Sequence, residues 1–133
     1  MKPYPKGLFT LFLMVDIAFI LYWLITYLQL LPPAFLYQDY TNPILVSWNW
    51  SFFPIDMLVS ISGLVSFWLY RSASPQWTFF ALLSLVLTVC SGLMAISFWI
   101  FRNDFDPGWW LPNLFLMIYP IFYIPKLNKL SNS

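Results

Sequence analysis

The sequence predicts an all-α integral membrane protein, a single domain built as an up-down-up-down bundle of four spanning helices. Hydrophobic residues make up 61% of the 133 residues and charged residues only 8%, whereas soluble domains carry about 25% charged residues. The hydrophobic residues are also concentrated in four continuous segments, and a helix needs about 20 residues to cross a bilayer. A spanning β-barrel would instead show short segments of alternating polarity.

The first predicted span covers residues 8–31, and Pro32 and Pro33 end it because proline cannot continue a helix. This run is longer than the apolar core of a cleavable signal peptide, so we expect the span to be retained. Residues 32–51 contain several polar side chains and are predicted to form a loop. The second span is predicted at residues 52–70.

The third span is predicted at residues 77–101 and the fourth at residues 109–124. Two prolines interrupt the fourth span, which is the shortest of the four. The connecting segments 71–76 and 102–108 are short and polar. Short connections favour antiparallel neighbours, which gives the up-down-up-down order.

The distribution of basic residues predicts the orientation of this bundle. With four spans, one side of the membrane holds Lys2, Lys6, Arg71, Lys126 and Lys129. The opposite side holds Arg102 together with Asp39, Asp104 and Asp106. Because lysine and arginine favour the cytoplasmic side, both termini are predicted to be cytoplasmic.

Composition also argues against several classes of function. The chain has no histidine and one cysteine, Cys90, so no zinc, haem or dithiol site is expected, and we predict no metal and no cofactor. The net charge is +1 and there is no polybasic tail, so no nucleic-acid partner is expected. The expected surroundings are the lipid bilayer, with a small molecule, a second copy or another membrane protein as partner.

Asp16 is the first candidate functional residue, because it interrupts the apolar run of the first span at a depth of roughly 12 Å. On insertion scales, placing an aspartate near the bilayer centre costs about 2.5–3.5 kcal/mol. Asp16 must therefore face the interior of the bundle, be protonated, or both. Two interpretations stay open, a functional acid and a group that joins helices by hydrogen bonds. Helical spacing puts Trp23 and Tyr27 on the same face.

Asp56, Trp109 and Asn113 complete the predicted site. Asp56 lies near the N-terminus of the second span, where the helix dipole also favours a carboxylate. Asn113 lies near the corresponding end of the fourth span, and Trp109 belongs to the aromatic residues expected at the membrane surface. If these side chains face inward, they form a polar track that ends at Asp16. The predicted ligand-binding residues are Asp16, Trp23, Tyr27, Asp56, Trp109 and Asn113.

Three functional hypotheses follow from these residues, and whether the protein is an enzyme stays open. The first is an acidic and aromatic pocket within the membrane that binds a hydrophobic or amphiphilic small molecule. The second is an accessory or structural membrane subunit whose buried polar groups only pack helices. The third is a proton-coupled small-molecule carrier that acts as a homodimer.

The segments "WNWSFFPIDM" (residues 48–57) and "FDPGWWLPN" (residues 105–113), with the opening "DIAFILYW", resemble a family of small four-span membrane proteins of Gram-positive bacteria, the YvaD-like group. The likeness covers most of the chain. It implies a location in the bacterial plasma membrane. It brings no known activity, so no functional residue is transferred from it.

Overall fold

The computed structural model describes residues 3–37 and 39–132, and every regular element in these two ranges is helical. The all-α prediction is therefore confirmed for the described residues. A short 3-10 turn, Pro33–Phe35, lies between the first two α-helices. The α-helices in chain order are α1 (Leu8–Leu28), α2 (Pro43–Trp50), α3 (Phe53–Arg71), α4 (Trp77–Phe101) and α5 (Pro107–Ser131).

Three helical stretches are long and apolar enough to cross a membrane, as expected of a membrane protein. They are α1, the continuous stretch Pro43–Arg71 that combines α2 and α3, and α4. Among the described residues α5 does not belong to this group. The fourth span therefore stays a prediction.

The prediction of a loop over residues 32–51 is wrong for residues 43–50, which form α2. The side chain of Asn42 accepts a hydrogen bond from the backbone N–H of Ile44 at 3.0 Å, and Pro43 occupies the first helical position. An asparagine cap followed by proline is a favoured helix start. This local signal outweighs the polar composition of the segment.

The helix α5 is longer than the predicted fourth span, because it begins two residues earlier and continues through Pro125 to Ser131; Pro112 and Pro120 also lie inside it. Each proline removes one backbone donor from the helix, but tertiary packing compensates, because α5 lies along α4. At the other end of the chain, α1 stops at Leu28, three residues before the predicted end. Gln29 closes it in a left-handed conformation with φ 55°.

The helices pack in chain order, α1 against α3, α3 against α4 and α4 against α5. Helices α1 and α5 meet at the end of the bundle that holds the termini, where the Tyr123 hydroxyl donates to the Lys6 carbonyl at 3.1 Å. The main apolar core lies there too. It consists of Leu8, Phe12, Val15, Trp77, Ala81, Leu85, Tyr119 and Leu127.

The segment before α1 is fixed to the turn between α3 and α4. The Tyr4 ring stacks on Trp77 with centroids 4.9 Å apart, and its backbone N–H donates to the Tyr70 hydroxyl at 3.2 Å. Burial raises the pKa of Tyr4 to about 12, because an apolar environment disfavours the phenolate. Its hydroxyl lies 3.4 Å from the hydroxyl of Ser66.

Serine side chains connect the helices by bonding to backbone carbonyls of their neighbours. Ser60 on α3 donates to the carbonyl of Asp16 at 3.0 Å, and Ser84 on α4 donates to that of Val59 at 2.9 Å. Small and hydroxyl residues at such positions let helices approach closely. The small-residue face of α4 is buried throughout, as a packing face should be; it comprises Ser84, Thr88, Ser91, Gly92 and Ala95.

Candidate functional site

A cavity of about 680 Å³ lies between α1 and α5 at the end of the bundle opposite the termini. Its two side walls come from α1 and α5, which are not closely packed here, and its back from α3 and α4. Residues 34–37 and α2 contribute the remaining wall. Part of the lining is exposed at the surface, including Met14 at 54% and Phe115 at 41%. The cavity is therefore open on the side between α1 and α5.

Asp56 is the centre of a buried hydrogen-bond network in the cavity wall. The indole Nε1 of Trp23 donates to Asp56 Oδ2 at 3.0 Å, and the Ser91 hydroxyl donates to Asp56 Oδ1 at 3.0 Å. The three side chains come from α3, α1 and α4. This network fixes the carboxylate in position, and all three residues line the cavity.

Two amide side chains lie in other parts of the lining. The Tyr22 hydroxyl donates to Asn49 Oδ1 at 2.9 Å, while Asn49 Nδ2 is buried with no hydrogen-bond partner within the described ranges 3–37 and 39–132. On the α5 wall, Asn113 Nδ2 donates to the carbonyl of Trp109 at 2.8 Å. This bond does not use the amide oxygen of Asn113, which keeps its capacity to accept.

Aromatic rings form much of the remaining lining. Trp23 packs against Trp50 with ring centroids 5.0 Å apart, and Trp109 packs against Trp99 at 5.9 Å. Trp50 and Trp99 do not line the cavity themselves; they pack against the rings that do. The aromatic lining residues are Phe19, Tyr22, Trp23, Phe35, Tyr37, Trp48, Phe52, Trp109 and Phe115.

The cavity brings together four of the six predicted site residues, Trp23, Asp56, Trp109 and Asn113. Tyr27 is not among them: it lies one turn beyond Trp23, in the last turn of α1, and is 73% exposed. Asp16 is not in the lining either. The predicted polar track therefore connects Asp56 and Asn113 but does not reach Asp16.

Asp16 is packed into the contact between helices instead. It is 0% exposed, and neither carboxylate oxygen has a hydrogen-bond partner among the residues that the structure describes. Its Oδ2 lies against Gly63 of α3, and a Cβ at that glycine would overlap it. The same Cβ position lies 3.2 Å from the Ser84 hydroxyl. Asp16 thus occupies space that only a glycine on α3 leaves free.

In the part of the chain that the structure describes, the fold is that of a small α-helical membrane protein, with three stretches long and apolar enough to cross a bilayer. The chain belongs to a family of unknown function, DUF5360, whose model matches residues 8–133.

A relative of known sequence supports the same grouping. The chain is 51% identical over 118 residues to the uncharacterized protein YvaD of Bacillus subtilis (strain 168). The alignment covers 89% of this chain and 89% of that protein, so the predicted resemblance to the YvaD-like group is confirmed. No solved structure matches the chain significantly.

Proposed function

We propose that this is a four-span protein of the bacterial plasma membrane that binds a hydrophobic or amphiphilic small molecule between α1 and α5. The observation that carries the proposal is the cavity of about 680 Å³, with aromatic walls and a few fixed polar groups. Ligand sites in proteins have this size and composition, about 300–1,000 Å³ with few polar groups among apolar ones. The opening between α1 and α5 would admit the ligand from the lipid.

The surface of α5 supports its role as the fourth span. Leu111 and Phe122 are each 66% exposed, and further large apolar side chains between them are also exposed, namely Phe115, Ile118 and Ile121. A continuous apolar surface of this kind is unusual on a soluble protein, whereas lipid would cover it.

Charge supports cytoplasmic termini. Lys6, Arg71, Lys126 and Lys129 belong to the end with the termini, and the acidic residues Asp39, Asp104 and Asp106 to the other end. Lys2, which contributed to the same prediction, lies outside the described residues. The positive-inside rule then assigns the cavity to the outer half of the membrane.

Cysteine labelling tests this orientation in a Cys90→Ala background. Asn103→Cys, in the turn between α4 and α5, is expected to react with a membrane-impermeant maleimide in intact cells. Ser131→Cys, at the end of α5, is expected to react only after permeabilisation. Labelling of Ser131→Cys from outside would contradict a fourth span or the assigned orientation.

Ala18→Phe tests the binding cavity, because Ala18 lines it and a benzyl group there would occupy the opening. We expect the affinity for the uncharged dye N-phenyl-1-naphthylamine to fall at least about tenfold, or about 1.4 kcal/mol. The measurement is saturation binding to protein in lipid nanodiscs, with empty nanodiscs subtracted.

Ile17→Phe is the matched control. Ile17 is 47% exposed and does not line the cavity, so the same ring should face lipid and leave binding unchanged. Equal dye binding by the wild type and both variants would contradict a site in this cavity.

The packing of Asp16 favours a second candidate function, an accessory membrane subunit. The deepest acid of the chain contacts Gly63 rather than the cavity, as a helix-packing group would. On this hypothesis the exposed apolar face of α5 contacts another membrane protein or a second copy. Absence of dye binding by the wild type would favour it.

A further inference from the structure

We propose that the ligand is an organic cation with apolar substituents, such as a quaternary ammonium or phosphonium ion, which Asp56 attracts and the aromatic walls enclose. This inference rests on the proposed function and specifies the charge and chemical class of its ligand. Three features of the cavity carry it: the sign of its charge, the unused acceptor capacity of Asp56 and the nature of its walls.

The charged side chains of the cavity are all acidic. Among the described residues that line it, Asp56 and Asp106 carry carboxylates and none is lysine or arginine. Arg102 belongs to the same end of the bundle, but its guanidinium donates to Asp39 at 3.1 Å and lies 5.7 Å from the centroid of the Trp99 ring. The field inside the cavity therefore favours positive charge.

Asp56 has acceptor capacity that its present partners do not use. A carboxylate offers about four lone-pair sites, and the bonds from Trp23 and Ser91 occupy one on each oxygen. Both donors are neutral, so they hold the carboxylate in place without cancelling its charge. A buried carboxylate with no cationic partner attracts a cation strongly because the surrounding dielectric is low.

The aromatic walls favour a cation of the organic kind. The faces of tryptophan, tyrosine and phenylalanine rings attract cations, and Trp23 combines such a ring with the bond to Asp56. An anion would be repelled both by the carboxylate and by the negative faces of these rings. A metal ion is disfavoured by the donor set, because no three acidic, cysteine or histidine side chains converge among the described residues.

Two probes of the same shape and opposite charge test this inference, tetraphenylphosphonium and tetraphenylborate. Binding of each is measured by equilibrium dialysis against wild-type protein in nanodiscs of zwitterionic lipid, with empty nanodiscs subtracted. We expect tetraphenylphosphonium to bind at least about tenfold more tightly, since carboxylate and rings both act in its favour. Equal affinities, or tighter binding of the anion, would overturn the inference without any variant.

Asp56→Asn identifies the residue responsible. It keeps the shape of the side chain and removes the charge, so on the same variant the affinity for tetraphenylphosphonium should fall about tenfold more than the affinity for the uncharged dye. Asp104→Asn is the matched control, because Asp104 is an acid at the same end that does not line the cavity; it should alter neither. Unchanged phosphonium binding by Asp56→Asn would contradict the assignment to Asp56.

The dye separates this inference from the proposed function. If the wild type binds the dye but does not prefer the phosphonium ion, the cavity binds ligands and only the charge assignment fails. If the wild type binds neither the dye nor the phosphonium ion, the proposed function fails as well.

Discussion

Gly92→Ala is expected to destabilise the protein by about 2 kcal/mol. A Cβ at Gly92 of α4 would lie 2.7 Å from the carbonyl oxygen of Asn113 and 3.0 Å from the backbone nitrogen of Met117. Both atoms belong to the backbone of α5, so no side-chain rotation relieves the overlap and the two helices must separate. Overpacking costs about 1–3 kcal/mol, and two close backbone contacts favour the upper end of that range. The better helix propensity of alanine offsets about 1 kcal/mol, which leaves about 2 kcal/mol.

Reversible unfolding in mixed micelles, followed by tryptophan fluorescence, measures this free energy. Cys90→Ala is the matched control, because Cys90 is exposed on α4 and its replacement should change stability by less than about 0.5 kcal/mol. Gly92→Ala should also weaken dye binding in the folded fraction, since Asn113 and Trp109 move with α5. Stability equal to that of the control would show that α4 and α5 are not in close contact at Gly92.

The lengths of the apolar segments were sufficient to predict most of the helices from the sequence. The third predicted span, residues 77–101, coincides with α4, and the second, residues 52–70, differs from α3 by one residue at each end. These segments are apolar, uninterrupted and bounded by polar turns, so composition alone locates them. The end of α1 was misplaced by three residues because Leu30 and Leu31 continue the apolar run after the helix has ended.

Elements whose boundaries depend on local or tertiary contacts were predicted less well. The start of α2 rests on the cap formed by Asn42 and on Pro43, a signal that the sequence contains but that the polar composition of the segment obscured. The length of α5 could not be inferred from the sequence, because Pro120 and Pro125 normally predict a helix end. Packing along α4 maintains the helix, and hydrophobic periodicity does not reveal that packing.

The grouping of some candidate residues could be anticipated because inward-facing acids and rings are recognisable in apolar helices. Asp56, Trp23, Trp109 and Asn113 line one cavity, as expected of polar groups and rings near the same end of three helices; a role for them in binding stays a prediction. Their partner Ser91 could not be assigned, since its bond to Asp56 depends on the rotation of α4. Tyr22 and Asn49 were also missed; the polar amide between two tryptophans at 48–50 was the available signal.

The depth of Asp16 and Asp56 in their helices does not predict which of them lines the cavity. Asp16 is central in its helix, yet its carboxylate contacts Gly63 and is separated from the cavity. Asp56 lies at the start of α3, where the helix dipole alone would explain it, yet its carboxylate lines the cavity. The depth of a polar group in a span therefore indicates the free energy needed to bury it. The rotation of the helix about its axis determines which groups it contacts.

Asp16→Asn is expected to stabilise the protein by about 2 kcal/mol, because it removes a buried carboxylate. On insertion scales, an aspartate near the bilayer centre costs about 2.5–3.5 kcal/mol. Both oxygens of Asp16 are buried without a donor in the described part of the chain, so no hydrogen bond seen there is lost. Asparagine has the same shape and fits the space against Gly63, and its amide group can donate to a nearby hydroxyl such as that of Ser84. The unfolding measurement used for Gly92→Ala provides the free energy.

Asp16→Leu is the companion variant, since its branched end meets Gly63 where the carboxylate lay. We expect it to be less stable than Asp16→Asn, because methyl groups are larger than the carboxylate oxygens that they replace and would overlap α3 at Gly63. Asp16→Asn should also bind tetraphenylphosphonium as the wild type does, since Asp16 does not line the cavity. Loss of that binding with an intact fold would instead make Asp16 part of the ligand pathway and would revive the proton-coupled carrier. A fall in stability on Asp16→Asn would mean that the carboxyl group makes a stabilising contact inside the bundle that the amide cannot replace.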